Sequence, residues 1–134
     1  MANQRKKHHL RRKLLILAAL LGLFLCWDNS SIETDEVTFT SPALPAGFDG
    51  CRIVHLSDLH GKYFGGDNER LYAAVRAAQP EYIFVTGDLV DRKTENPTIY
   101  AGEVGTALSA IAPTYYVTGN HEWGHGTKVV EEIK

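Results

Sequence analysis

The chain has 134 residues, 14 Lys and Arg against 16 Asp and Glu, and a formal net charge of −2. That length allows one domain at most, and 44% hydrophobic with 22% charged residues excludes a disordered or collagen-like chain. The charge is segregated. Residues 1–13 hold Arg5, Lys6, Lys7, Arg11, Arg12 and Lys13 and no acid, so the remainder is acidic. An acidic folded part lacks the basic face of a general nucleic-acid binder, and no nucleic-acid partner is expected. Two cysteines, Cys26 and Cys51, make no disulfide framework.

Residues 14–27 follow the basic tail without a charge. As a helix they extend roughly 21 Å at ~1.5 Å per residue, against a hydrocarbon core about 30 Å thick. Three readings compete: a transmembrane signal anchor, a cleaved signal peptide and a buried core helix. The exit Leu25-Cys26-Trp27-Asp28 has no small-x-small cleavage site. Arg11, Arg12 and Lys13 snorkelling at one interface, with Trp27 at the other, favour the anchor. The positive-inside rule then leaves the N-terminus in the cytoplasm and the domain on the outer side of the cell membrane, a single-pass arrangement. Residues 28–36 read as a linker. Val37-Thr38-Phe39-Thr40 alternates like a short strand until Pro42, Pro45 and Gly47 break it.

From Cys51 onward the pattern is regular. Strands are predicted over 52–57, 82–86 and 114–118. A helix over 69–79 carries Leu71, Val75 and Ala78 at helical spacing and ends at Pro80. A second, over 98–112, places Ile99, Val104, Leu108 and Ile111 on one side, and a third begins after Gly126. Strand–helix–strand–helix–strand implies right-handed crossovers and a parallel sheet, and the near-continuous apolar strands suit a sheet buried on both faces. His55 lies mid-strand and reads as a satisfied structural histidine.

Every strand ends in the same kind of chemistry. Asp58 and His60 follow the first, Asp88 the second, and Asn120 and His121 the third. The carboxyl ends of parallel neighbours lie side by side, so these residues converge where open α/β sheets bind ligands. Oxygen and imidazole donors in one pocket suit divalent or trivalent transition metals, and the absence of a thiolate disfavours structural zinc. No Gly-x-Gly-x-x-Gly follows the first strand, which excludes a dinucleotide-binding half-domain. Gly65-Gly66-Asp67-Asn68 reads as a loop and helix entry, not a phosphate cradle. His8 and His9 lie in the basic tail, with no metal role.

Three stretches, Ser57-Asp58-Leu59-His60, Gly87-Asp88-Leu89-Val90-Asp91 and Gly119-Asn120-His121-Glu122, lie about one βαβ unit apart. In that order they resemble the calcineurin-like binuclear metallophosphoesterases, and with residues 44–48 and the N-terminal segment, their membrane-anchored bacterial subgroup. The resemblance implies an α/β fold: over 37–134, the N-terminal half of an αββα sandwich, a β-α-β-α-β parallel unit behind an N-terminal hydrophobic helix. It implies two metal ions, manganese, iron or zinc. Asp58 and His60 would ligate the first, Asp88 would bridge both, and Asn120 would offer its oxygen to the second. His121 would stand outside the coordination shell as the catalytic residue, protonating the leaving oxygen or stabilising phosphoryl charge. A metal-bound hydroxide would attack phosphorus, making the chain a hydrolase of phosphoester bonds, phosphodiesterase or phosphatase. Asp91 and Glu122 fit an orienting role.

The same family completes its site with histidines later in the chain. Gly124-His125-Gly126-Thr127 has Thr127 where a second His belongs, so His125 is assigned to the loop after the third strand. The present residues leave the second metal with Asp88 and Asn120 alone, where usual sites keep about three protein ligands. An alternative class follows: a membrane-anchored non-catalytic fragment with weak or no metal binding. An anchored location, through residues 14–27, is compatible with lipid-linked or envelope-derived phosphoester substrates.

Overall fold

A computed structural model describes residues 2–28 and 31–133, with side chains described at 9, 11–25 and 31–133. The side chains of His8, Cys26 and Trp27, used in the sequence reading, lie outside the described residues. The chain divides into two units, residues 1–33 and 34–134.

The first unit is a helix, α1 (Ala2–Asp28). No helix among the described residues is long and apolar enough to cross a membrane. The transmembrane helix expected over 14–27 is therefore not supported. Its uncharged stretch supplies only ~21 Å, and the turns before it carry Arg11, Arg12 and Lys13 instead of prolonging the apolar run.

The second unit is α/β. Its strands are β1 (Ile53–Leu56), β2 (Tyr82–Thr86) and β3 (Thr114–Val117). They form a three-stranded sheet in the order β1-β2-β3, both pairings parallel, with Val54 opposite Ile83 and Val85 opposite Tyr116. Helix α2 (Glu69–Ala78) joins the first pair and α3 (Pro97–Ser109) the second. Two short helices close the unit, α4 (Asn120–Gly124) and α5 (Thr127–Ile133).

Local chemistry accounts for the helix boundaries. Gln79 takes a left-handed conformation (φ 51°) beyond α2, its N–H returns to the Arg76 carbonyl, and Pro80 cannot continue the helix. Pro97 opens α3, where its fixed φ suits a first turn and its missing N–H costs nothing.

Three expectations are corrected. Residues 37–40 form no strand; Val37 and Phe39 are exposed and have no ladder partner. The buried stripe of α3 is Tyr100, Ala101, Val104 and Leu108, while Ile99 is 58% exposed. Starting the helix at Pro97 puts Tyr100, Val104 and Leu108 four residues apart on the face over the sheet.

The sheet is also buried on one face, not two. Ile83 and Val85 lie in the core, whereas Ile53, Phe84, Tyr115 and Val117 on the other face are exposed. Strands laid down in one direction through right-handed crossovers put both helices on the same side. On the open face the Phe84 and Tyr115 rings stack at 5.5 Å. His55 Nε2 lies 2.6 Å from the Thr86 hydroxyl across the same face, a satisfied structural histidine.

Tyr100 joins the core to a loop: its hydroxyl donates to the Lys62 carbonyl at 2.7 Å, and its side chain is 2% exposed. Burial pushes its pKa up to about 12. A phenol whose folded pKa exceeds its unfolded value of ~10 contributes stability that is complete below pH 10 and lost as pH rises toward 12. Tyr72 and Tyr116 are shifted the same way, mainly by burial. Tyr100→Phe should cost ~1 kcal/mol at neutral pH by losing the hydrogen bond, and should make the alkaline decline shallower. Urea unfolding at pH 9, 10, 11 and 12 checks this; parallel curves for the two proteins would refute it.

Candidate metal centre

Beyond β1 and β2 the backbone turns sharply, and the turning residues are the ones that carry chemistry. Asp58 (φ 57°), His60 (φ 52°) and Asp88 (φ 51°) all occupy the left-handed region. Such conformations cost about 1–3 kcal/mol each in non-glycine residues and persist only when the surroundings over-determine them. Here they do. The Asp58 N–H donates to the Gly87 carbonyl at 3.2 Å, His60 N–H to Asp88 at 2.9 Å, and Gly61 N–H to Leu89 at 2.8 Å. The turn after β1 is thereby hydrogen-bonded to the turn after β2.

The third turn is locked to the second. Gly87 has φ +90°, and a Cβ there would lie 2.7 Å from Cα and N of Gly119. A Cβ on Gly119 would in turn strike the Asp88 backbone nitrogen at 2.6 Å and its carboxylate. The two segments approach this closely only because neither carries a side chain.

Glu122 completes the lock. It is 0% exposed, and its Oε1 accepts from the N–H groups of Leu89 (2.6 Å) and Val90 (3.2 Å). Its Oε2 accepts from Asp88 (3.0 Å) and Gly119 (2.7 Å). The last contact is half of a capping box, the third helical residue reaching back to the N-cap. Burial pushes the Glu122 carboxyl up, but the N–H groups of Val90, Gly119 and Asp88 outweigh it and hold the pKa below the usual range. Tyr116, beside it, is pushed up by burial and by the Glu122 charge.

This framework brings His60, Asp88 and His121 together: one ligand-capable atom of each lies within 4.8 Å of the others. The two imidazoles meet edge to face at 4.7 Å. The His121 backbone N–H donates to Asp88 Oδ1 at 2.8 Å. Asp58 borders the group, with Oδ1 3.7 Å from His60 Nε2, and its Oδ2 accepts from the Ser57 hydroxyl. Asn120 sits at the first position of α4 with its side chain exposed.

His121 Nδ1 is buried and has no hydrogen-bond partner in the protein. The imidazole of His60 and the carboxylate of Asp88 are donors of the kind a transition metal takes, so these residues fit such an ion, and the unpartnered His121 ring stands beside them. Sequence reasoning set His121 apart from the ligands; the structure puts its ring in the same cluster as His60 and Asp88.

Asp91 lies outside this group. Its Oδ1 accepts from the Thr94 hydroxyl (3.0 Å) and the Lys93 N–H (2.9 Å), and these bonds hold its pKa below the usual value. His125 is held in the following loop, its Nε2 2.6 Å from the Asp91 carbonyl oxygen. What sequence reasoning missed is the reach of Glu122 to four backbone donors. Its place three residues after Gly119 was the only signal.

Three parallel strands ending in a locked cluster of imidazole and carboxylate define an α/β protein with a candidate metal site. Comparison with known proteins specifies the class: residues 51–132 match the family model described as Calcineurin-like phosphoesterase, and the chain belongs to that family of metallophosphoesterases. It is 34% identical over 110 residues to the uncharacterized metallophosphoesterase YkuE of Bacillus subtilis, covering 76% of this chain and 37% of that protein. It is 27% identical over 139 residues to the uncharacterized metallophosphoesterase Cj0846 of Campylobacter jejuni, covering 99% and 37%. A transmembrane protein with metallophosphoesterase domain from Danio rerio is 30% identical over 112 residues, covering 81% and 25%. The chain spans little more than a third of the length of the first two relatives.

Proposed function

We propose that this chain carries the first three motifs of a metal-dependent phosphoester hydrolase with a binuclear site. The observation that supports it best is the convergence of His60, Asp88 and His121 within 4.8 Å at the ends of three parallel strands. On this reading Asp58, His60 and Asp88 would hold one ion, and Asp88 and Asn120 would hold the other, both drawn from manganese, iron and zinc. Bound there, the ions would lower the pKa of water toward neutrality and neutralise phosphoryl charge.

The chain's own residues supply the rest. Glu122 and the Gly87–Gly119 contact keep Asp88 and His121 in register before substrate arrives, which removes a reorganisation cost from the reaction. Asp58 and His60 share one turn, hydrogen-bonded to the turn that carries Asp88. His121 holds or delivers the proton at the leaving oxygen.

The test uses the 134-residue chain with added manganese, read by calorimetric metal binding and by turnover of a generic aryl phosphodiester. Asp88→Ala should lower metal affinity and turnover at least ~100-fold. His121→Ala should keep manganese affinity within about threefold while turnover falls ~10²–10⁴-fold, as for loss of a general acid. A His121→Ala chain that loses manganese as Asp88→Ala does would make His121 a ligand. No turnover above the Asp88→Ala control would leave the non-catalytic fragment as the better reading.

A further inference from the structure

The two turns that carry His60 and Asp88 do more than end in the cluster. They continue into the walls of a cavity of about 340 Å³. Gly61 and Tyr63 line it from the segment after β1, residues 93–96 from the segment after β2, and Ile99 and Tyr100 from the start of α3. Gly61 directly follows His60, so the cavity begins one residue from the cluster. A Cβ on Gly61 would strike the Thr94 side chain, whose hydroxyl donates to Asp91, so the two segments are closely packed where the cavity begins.

The lining has two characters. Tyr63 (51% exposed) and Ile99 (58% exposed) offer apolar surface at its mouth, and Tyr63 is braced edge-on against buried Tyr100 at 5.1 Å. Lys93, Thr94, Glu95 and Asn96 supply a cation, a hydroxyl, a carboxylate and an amide. The volume lies at the lower end of the range of pockets that enclose small organic ligands, and Tyr63, Ile99 and Tyr100 form the apolar share of a lining that is polar along Lys93, Thr94, Glu95 and Asn96. An aromatic ring edge and a branched aliphatic side chain would cover a flat apolar group, while a short polar alcohol would leave them wet.

We infer that this cavity takes the organic group of the phosphoester, and that the group is aromatic rather than a short polar alcohol. The assignment rests on the phosphoesterase reading above. Tyr63 and Ile99 are then specificity-determining residues, and both are exposed enough to be replaced without opening the core.

The experiment compares binding of methylphosphonate and 1-naphthylphosphonate to the full chain by calorimetry, with and without manganese. With manganese the naphthyl compound should bind at least ~10-fold more tightly. The Tyr63→Ala/Ile99→Ala double variant should shrink that preference below about threefold while leaving methylphosphonate affinity unchanged. Equal affinity of the two phosphonates for the parent chain would overturn this inference alone. A preference that survives the double variant would do the same, since it would place the naphthyl group elsewhere, such as on the open face of the sheet. If neither phosphonate binds with manganese present, the phosphoesterase reading falls, and this inference with it. Naphthyl binding indifferent to manganese and to Asp88→Ala would cut the cavity's link to the reaction and overturn the inference too.

Discussion

Replacing Glu122 by alanine should lower the unfolding free energy of the chain by about 3–5 kcal/mol. Four backbone N–H groups, those of Asp88, Leu89, Val90 and Gly119, share this one carboxylate as acceptor. Each buried donor left without a partner costs about 1–3 kcal/mol, and water entering the space vacated by the side chain recovers part of the total. A unit of this size has only ~5–15 kcal/mol to lose. The melting temperature should therefore fall by ~12 °C or more. Glu122→Gln keeps one oxygen but turns an amide N–H₂ toward the remaining donors, so it should recover less than half of the loss. Manganese affinity should drop as well, because Asp88 and His121 are anchored to the same segments. An alanine variant within about 1 kcal/mol of the parent in urea unfolding would show that the four donors find other acceptors.

Gly119→Ala should cripple the metal site where Gly102→Ala improves the fold. The added methyl group at 119 would meet the Asp88 backbone nitrogen at 2.6 Å and the Asp88 carboxylate, so the second turn must shift. Backbone cannot give as a flexible side chain does, and the overpacking costs about 1–3 kcal/mol. Displacing the carboxylate that neighbours His60 and His121 should lower metal affinity at least ~10–100-fold. At Gly102, on the exposed side of α3, a Cβ meets nothing within 4 Å. Alanine there removes backbone freedom from the unfolded chain and should stabilise by about 0.5–1 kcal/mol with metal binding unchanged. Paired calorimetric titrations and melting curves check both. Equal metal affinity for Gly119→Ala and the parent would mean that the contact between the two glycine segments does not position the site.

Much of this was legible in residue order. Short apolar runs bounded by Gly-Asp, Gly-Asn and Pro placed β1, β2 and β3 to within a residue or two. The spacing of Asp58, Asp88 and Asn120 placed candidate donors at their ends. These are local signals: a β-branched run, a turn residue and a helix stop act on their neighbours, so they survive reading without a fold. The short strand expected at 37–40 failed because alternation alone does not make a strand; a ladder partner does. The apolar character of residues 14–27 was equally plain in the sequence, but a membrane span also needs length, and the helix that forms is not apolar for long enough.

What only the tertiary structure decided depends on distances between segments far apart in the chain. Sequence pattern could not tell that both crossover helices cover one face and leave Phe84 and Tyr115 on the other, because that follows from strand order and handedness together. It could not show that Glu122 reaches back 34 residues to Asp88, or that Gly87 and Gly119 nearly touch. Nor could it place His121 beside His60 and Asp88, or build a cavity from the residues that follow them. By itself the sequence determined which chemical groups stand at the ends of which strands. The packing of those ends decided which groups meet, since hydrogen bonding and close contact depend on separations of a few ångströms that no spacing in the chain encodes.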